Sequence, residues 1–373
     1  MSSIKLLAIR GIPIRVHITF PLILIVAALQ FGLRQTNWLQ GAAFGVVVTL
    51  LLFVCVVLHE LAHSMVAIHF GSGVKEIVLL PLGGVARMEQ LPERPYQELL
   101  MAVAGPVTSG LIGLALVVAT LLLLPLNIWL QFGRALAEMA DLRWVYMLPY
   151  LAIVNLFLAG FNLLPAFPMD GGRVLRALLA AVMPYGRATA IAVTIGQGLA
   201  WLLGLYGLLG RNVLVILVAV FVYVGAAQEG QLTQVKVALA GLRVGQAFSR
   251  HAQPVHPDDT LGRAVDMTLE GFQSDFPVCD GERLVGMLTR TDVLIGLKEH
   301  GSQAPVRQAM HTEFPVAHLE DELFAVQQRM AENGLDALPV VEGETFLGLI
   351  TRQDLEEVYR LVSVQPDLLQ PGR

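Results

Sequence analysis

Polar residues are sparse over the first 228 positions, and they come in short bursts. Between the bursts lie six long, nearly charge-free runs: residues 16–33, 41–70, 101–133, 144–169, 188–210 and 212–228. A helix of about 20 apolar residues crosses roughly 30 Å of hydrocarbon, so each run approaches or exceeds one crossing. The pattern predicts six transmembrane helices. The third run is too long for one of them. Pro125 is placed to end its helix, and residues 126–139 then read as an amphipathic surface segment anchored by Trp129 and Phe132. Between the second and third runs, residues 74–89 alternate β-branched and polar positions around Gly83 and Gly84. That stretch reads equally as a β-hairpin dipping beside the bilayer or as a plain loop.

From Glu229 the pattern turns polar and repeats. Residues 276–292, FPVCDGERLVGMLTRTD, align with 338–354, LPVVEGETFLGLITRQD, and residues 244–248 align with 306–310 at the same offset of 62. Each unit predicts strand, turn, strand, then a helix opened by a Thr-x-x-Asp box. The expected division is a membrane domain over 1–228, a linker over 229–242, repeats over 243–300 and 301–363, and a disordered tail over 364–373.

Composition fits a membrane chain. Of 373 residues, 55% are hydrophobic and 15% charged, with a mean hydropathy of +0.64; ordinary soluble domains carry more charge. A net charge of −5 gives no footprint for nucleic acid. Cys55 and Cys279 fall in a membrane run and in the polar third, which excludes a disulfide framework. The N-terminal apolar run lacks a small-residue cleavage site and reads as a retained span. Basic residues set the orientation. Lys5, Arg10 and Arg15 precede run one, Lys75, Arg87 and Arg94 follow run two, and Arg173, Arg176 and Arg187 follow run four. Lys236 and Arg243 follow run six, whereas the opposite side collects only Arg34, Arg134, Arg143 and Arg211. This bias expects both termini and the polar C-terminal region in the cytoplasm of a cell-membrane protein.

Three ionisable residues interrupt the second run: His59, Glu60 and His63. Such groups cost a few kcal/mol each at membrane depth, about 2.5–3.5 for strongly charged ones, so they call for a function. On a helix, residues four apart share a face, and both imidazoles can point at one metal ion. Glu60 is rotated by about 100° and can act on a metal-bound water without being a ligand. A catalytic zinc site takes three protein ligands and one open position. Asp170 is the best third ligand, because Pro165, Pro168, Gly171 and Gly172 break regular helix around it at the end of run four. The bland alternative is an interfacial Asp capping a helix that starts near Gly172. His17 and His69 read as interfacial residues.

His59-Glu60-x-x-His63, Asn162-x-x-Pro165-x-x-x-x-Asp170-Gly171, Gly83-Gly84 and Ala104-Gly105-Pro106 together resemble the site-2 protease family of intramembrane zinc metalloproteases, peptidase family M50. The repeats resemble a tandem CBS (Bateman) module, as in the branch of that family with cytoplasmic CBS domains; no PDZ insertion is evident. The resemblance implies a polytopic α-helical membrane protein with a C-terminal cytoplasmic α+β module. It implies one zinc ion per chain on His59, His63 and Asp170, with Glu60 as general acid and base and Asn162 on the oxyanion or the substrate. The substrate would be a single-pass membrane-anchored regulator, its unwound strand added to the edge at Gly83-Gly84. The CBS resemblance further implies an adenine nucleotide (ATP, ADP or AMP) or S-adenosylmethionine near Thr289, Asp292, Thr351 and Asp354, and a possible homo-oligomer through the module. Those threonines and aspartates equally fit plain helix starts. Two other classes remain open: a nucleotide-regulated metal or ion transporter, and an inactive membrane scaffold.

Overall fold

The computed structural model describes residues 3–81, 83–88, 94–137, 143–271 and 273–365. Two strands precede the first helix. Ser3–Ile9 (β1) and Ile12–His17 (β2) form an antiparallel hairpin. Its two-residue turn, Arg10-Gly11, has positive φ at both positions, 50° and 85°, the geometry that matches strand twist. Helix α1 (Pro21–Gly32) follows, then the 32-residue helix α2 (Trp38–His69).

Helix α2 has two differently packed halves. Gly41 and Gly45 let α1 approach closely on the first; a Cβ on Gly45 would lie 2.6 Å from the Ala27 carbonyl oxygen. Small residues four apart do this throughout membrane proteins. The second half is flanked by a four-stranded sheet. Val74–Leu80 (β3) and Gly83–Met88 (β4) pair antiparallel, β2 joins β3 in parallel, and the strand order is β1-β2-β3-β4. Ile12, Ile14, Ile77 and Leu79 bury one sheet face against Phe20, Phe53 and Leu61. Residues 74–88 are therefore a hairpin and not a plain loop, and Gly83 and Gly84 open β4 instead of forming the turn. Leu82 and Glu89 lie outside the described residues.

Helix α3 (Pro95–Leu123) ends just before Pro125, and α4 (Asn127–Ala137) is short, with Phe132 buried against Tyr146. Met139, the last residue of the expected surface segment, lies outside the described residues. A short 3-10 turn at Trp144–Tyr146 leads into α5 (Met147–Asn162). Gly113 seats α3 on α5, where a Cβ would meet Leu156 at 2.7 Å. Irregular backbone over 163–169 precedes α6 (Asp170–Ala180), α7 (Tyr185–Leu209) and α8 (Val213–Leu239).

Among the described residues, five helices are long and apolar enough to cross a membrane: α2, α3, Trp144–Asn162, α7 and α8. The first expected span differs. Its helix holds only 12 residues, because the polar-apolar alternation before Thr19 is a strand. The expected linker 229–242 differs too, since α8 continues through it to Leu239 without a break. The apolar positions Leu239 and Leu242 hold this segment in the core of the C-terminal unit.

The chain forms two compact units, Met1–Gln231 and Leu232–Arg373. In the second, α9 (Leu261–Glu270), β5 (Phe276–Asp280), β6 (Arg283–Leu288) and α10 (Arg290–His300) make one repeat. The other holds α11 (Leu323–Asn333), β7 (Ala337–Glu342), β8 (Thr345–Thr351) and α12 (Arg352–Val364). The sheet order is β5-β6-β8-β7. Val364 closes α12, so the expected tail starts one residue early, and 366–373 lie outside the described residues.

Candidate metal centre

The apolar surroundings of α2 leave its polar residues few partners, and the structure supplies them from α3 and α6. His59 and His63 are buried one turn apart, with Nε2 atoms 3.2 Å from each other. Asp170, the first residue of α6, brings its Oδ2 to 3.3 Å from His59 Nε2 and 3.2 Å from His63 Nε2. These three atoms form a nearly equilateral triangle. Tetrahedral ligands at the zinc distances of 2.0–2.1 Å stand about 3.3–3.4 Å apart, so the triangle matches one face of a zinc tetrahedron. Among the described residues, His59, His63 and Asp170 are the group of His, Cys, Asp or Glu side chains so gathered.

The other ring nitrogens fix the orientation. His63 Nδ1 lies 2.7 Å from the Met101 carbonyl oxygen, which can only accept, so Nδ1 carries the proton and Nε2 keeps its lone pair. His59 Nδ1 lies 2.9 Å from Ser109 Oγ, a hydroxyl that can accept from a protonated Nδ1 or donate to an unprotonated one. Both partners come from α3, as does the space. A Cβ on Gly105 would overlap His63 Nε2 and stand 2.6 Å from His59 Nε2. The helix itself was expected from run 101–133, but the roles of Ser109 and the Met101 carbonyl were not legible in the sequence; the Ala104-Gly105-Pro106 motif marked only the neighbouring turn.

Glu60 is half-buried and faces β4, the edge strand of the sheet, where a Cβ on Gly84 would come within 2.7 Å of Glu60 Cγ. Asn162 is the last residue of α5 and half-buried. Among the described residues no hydrogen bond joins it to the triad. Asp170 is the first residue of α6, whose N-cap is Met169 with no side-chain cap bond, so the alternative of an Asp capping a helix near Gly172 differs from the structure. Gly171 allows the close turn behind it, since a Cβ there would overlap the Leu163 and Leu164 carbonyls.

A second polar cluster sits two turns along α6. The Arg176 side chain is 1% exposed. It donates from Nε to Glu98 Oε1 of α3 at 2.8 Å, and closer contacts run from Nη2 to the same oxygen and from Nη1 to Glu229 Oε1 of α8. Its faces lie 5.0 Å from the ring centroids of Phe167 and Tyr185. This arginine was counted with the exposed basic residues after run four; the structure buries it.

The profile of peptidase family M50 matches residues 47–203, which include the whole triad, and the CBS domain profile matches 244–299 and 306–360. A zinc metalloprotease of Methanocaldococcus jannaschii is 36% identical over 367 residues, 98% of either chain. The chain belongs to peptidase family M50. A second relative, from Mycobacterium tuberculosis, is 31% identical over 352 residues, 88% of this chain and 84% of that one. The solved site-2 protease of Methanocaldococcus jannaschii is 41% identical over 61% of this chain and 95% of its own, with a TM-score of 0.43. Here, then, is an M50 member with several membrane-length helices and a C-terminal CBS pair.

In the CBS pair the Thr-x-x-Asp boxes are helix caps. Thr289 and Thr351 accept from the backbone N–H of Asp292 and Asp354, and each aspartate Oδ2 accepts from the threonine N–H and hydroxyl. The bland reading of these residues is thus their present geometry, and Asp354 and Thr351 also line a cleft of about 1410 Å³.

Proposed function

We propose that this chain is a zinc-dependent endopeptidase that hydrolyses peptide bonds within or near the transmembrane segments of single-pass, membrane-anchored regulators. The observation that carries the reading is the 3.2–3.3 Å triangle of His59 Nε2, His63 Nε2 and Asp170 Oδ2, with Glu60 adjoining in sequence. One zinc ion per chain fits these three donors. Bound there, zinc supplies a water acidified to near neutral pH and a Lewis acid for the scissile carbonyl. Glu60 takes the proton of the attacking water and returns it to the leaving amine. The Met101 carbonyl and Ser109 hold the imidazoles with Nε2 free. Asn162 binds the carbonyl oxygen as negative charge develops there.

A substrate helix must unwind before attack. Edge strand β4, beginning at Gly83 and Gly84 beside Glu60, offers backbone partners to the unwound strand and offsets the lost helical bonds. The topology is six crossings with both termini and the CBS pair cytoplasmic. The first crossing is mixed: β2 and α1 together run antiparallel to α2, and the sheet satisfies the strand's backbone. The CBS cleft takes an adenine nucleotide that modulates the peptidase.

The test is reconstitution of wild type, Glu60→Gln and His59→Ala in liposomes with a single-pass substrate. Wild type cleaves and carries zinc; Glu60→Gln carries zinc without cleaving; His59→Ala does neither. Ion flux that persists in Glu60→Gln, with no cleavage by wild type, would overturn the peptidase reading in favour of transport.

A further inference from the structure

The two CBS repeats are related residue by residue, and at one position the relation breaks in a way that distinguishes their clefts. Each Thr-x-x-Asp strand is bridged to the lead-in of the other repeat. Ser249 pairs with Leu349, and His311 pairs with Met287. The bonds agree closely: Ser249 N to Leu349 O at 2.8 Å and back at 3.0 Å, His311 N to Met287 O at 2.8 Å and back at 2.9 Å. Ser249 and His311 are separated by 62 positions, the repeat offset, as are Asp292 and Asp354. Ser249 is therefore to the Asp354 cleft what His311 is to the Asp292 cleft.

The side chains differ. His311 Nε2 reaches Asp292 Oδ1 at 2.9 Å, while Asp292 Oδ2 is held by Thr289. Both oxygens of Asp292 are thus engaged within the chain. A serine in the equivalent place is too short to do this for Asp354. Asp354 Oδ2 is held by Thr351 in the same way, and Ser249 and Asp354 line one cleft together. A carboxylate with an uncommitted oxygen can accept both hydroxyls of a ribose; one already bonded to an imidazole must first give that bond up.

We infer that the CBS pair binds one ribonucleotide per chain, with its ribose on Asp354, and that His311 blocks the twin cleft by occupying Asp292. This rests on the nucleotide reading proposed above. Binding at the Asp292 cleft is expected to be at least about 10-fold weaker, the order of one charge-assisted hydrogen bond.

The experiment is calorimetric titration of the full chain in nanodiscs with AMP and, separately, with ATP. Wild type is expected to titrate at one ligand per chain. Asp354→Asn should weaken that site at least 10-fold. His311→Ser, which leaves the Thr289–Asp292 cap bonds in place, should add a second site within about 10-fold of the first, and Asp292→Asn in the same chain should remove it. Thermal unfolding of each variant checks that the caps persist. Two comparable sites in wild type, or a single site in His311→Ser, would overturn the asymmetry and leave the nucleotide reading standing. No binding of either nucleotide by wild type and His311→Ser would overturn both.

Discussion

The membrane unit holds two polar clusters that share helix α6, and they are built to opposite ends. At the start of α6, Asp170 meets His59 and His63, three groups that present lone pairs to one another. Two turns on, Arg176 meets Glu98 and Glu229, and its donors are taken by carboxylates while aromatic rings cover its faces. The first set gathers three atoms able to ligate a metal ion. The second is built around a cationic side chain, Arg176. Burial alone therefore does not separate a ligand site from a structural pin; the balance of donors and acceptors does.

The sharpest way to test this contrast is to remove chemistry from one cluster and stability from the other. Glu60→Gln should lower cleavage about 10²–10⁴-fold with zinc content and thermal unfolding near wild type. Loss of zinc in that variant would mean that Glu60 is a ligand. Arg176→Met should instead cost about 3 kcal/mol of stability, because it strands the buried carboxylate of Glu98 and the partly exposed one of Glu229. Adding Glu98→Gln and Glu229→Gln to it should restore part of the loss, measured by denaturation in detergent. If the triple variant is worse than Arg176→Met, the cluster is not self-contained.

Smaller effects probe the supports. Ser109→Ala removes the partner of His59 Nδ1 and should weaken zinc about 10–100-fold in competition with a chelator. Last, the buried thiol of Cys279 is pushed up to about 11 by desolvation. A group protonated longer in the folded state than in the unfolded one destabilises the fold as pH rises, so the C-terminal unit should lose stability between about pH 9 and 11. Alkylation of Cys279 should stay slow below that window unless the unit unfolds.

The sequence exposes residues that have no cheap reason to be where they are. His59, Glu60 and His63 stand out because hydrocarbon punishes them, and Asp170 because prolines and glycines break the helix around it. Ser109 stayed hidden, since a serine in an apolar helix can bond its own i−4 carbonyl and needs no further role. Arg176 misled in the other direction: a basic residue just past a span counts toward orientation, and nothing local reveals that Glu98 and Glu229 enclose it. The N-terminal hairpin was missed because the short alternation of Ile12–His17 leads into α1 across only three residues, so the strand's end and the helix merged into one run, 16–33. The repeats were legible because a common offset of 62 is a pattern no single element can imitate.

The mixed first crossing proposed above would have a consequence for how the chain enters a bilayer. Twelve residues of α1 extend only about 18 Å, too short to be retained as a lone span. Strand β2, which continues the crossing, is paired with β1 on one edge and depends on β3 for the other. But β3 leaves the ribosome more than fifty residues later. On that topology the N-terminus would stay uncommitted until α2 and the hairpin behind it have been synthesised, and α1, α2 and the sheet would then settle together. Arrested chains ending before Val74 should leave the N-terminus open to protease from either side of the membrane, and chains extending past Met88 should close it.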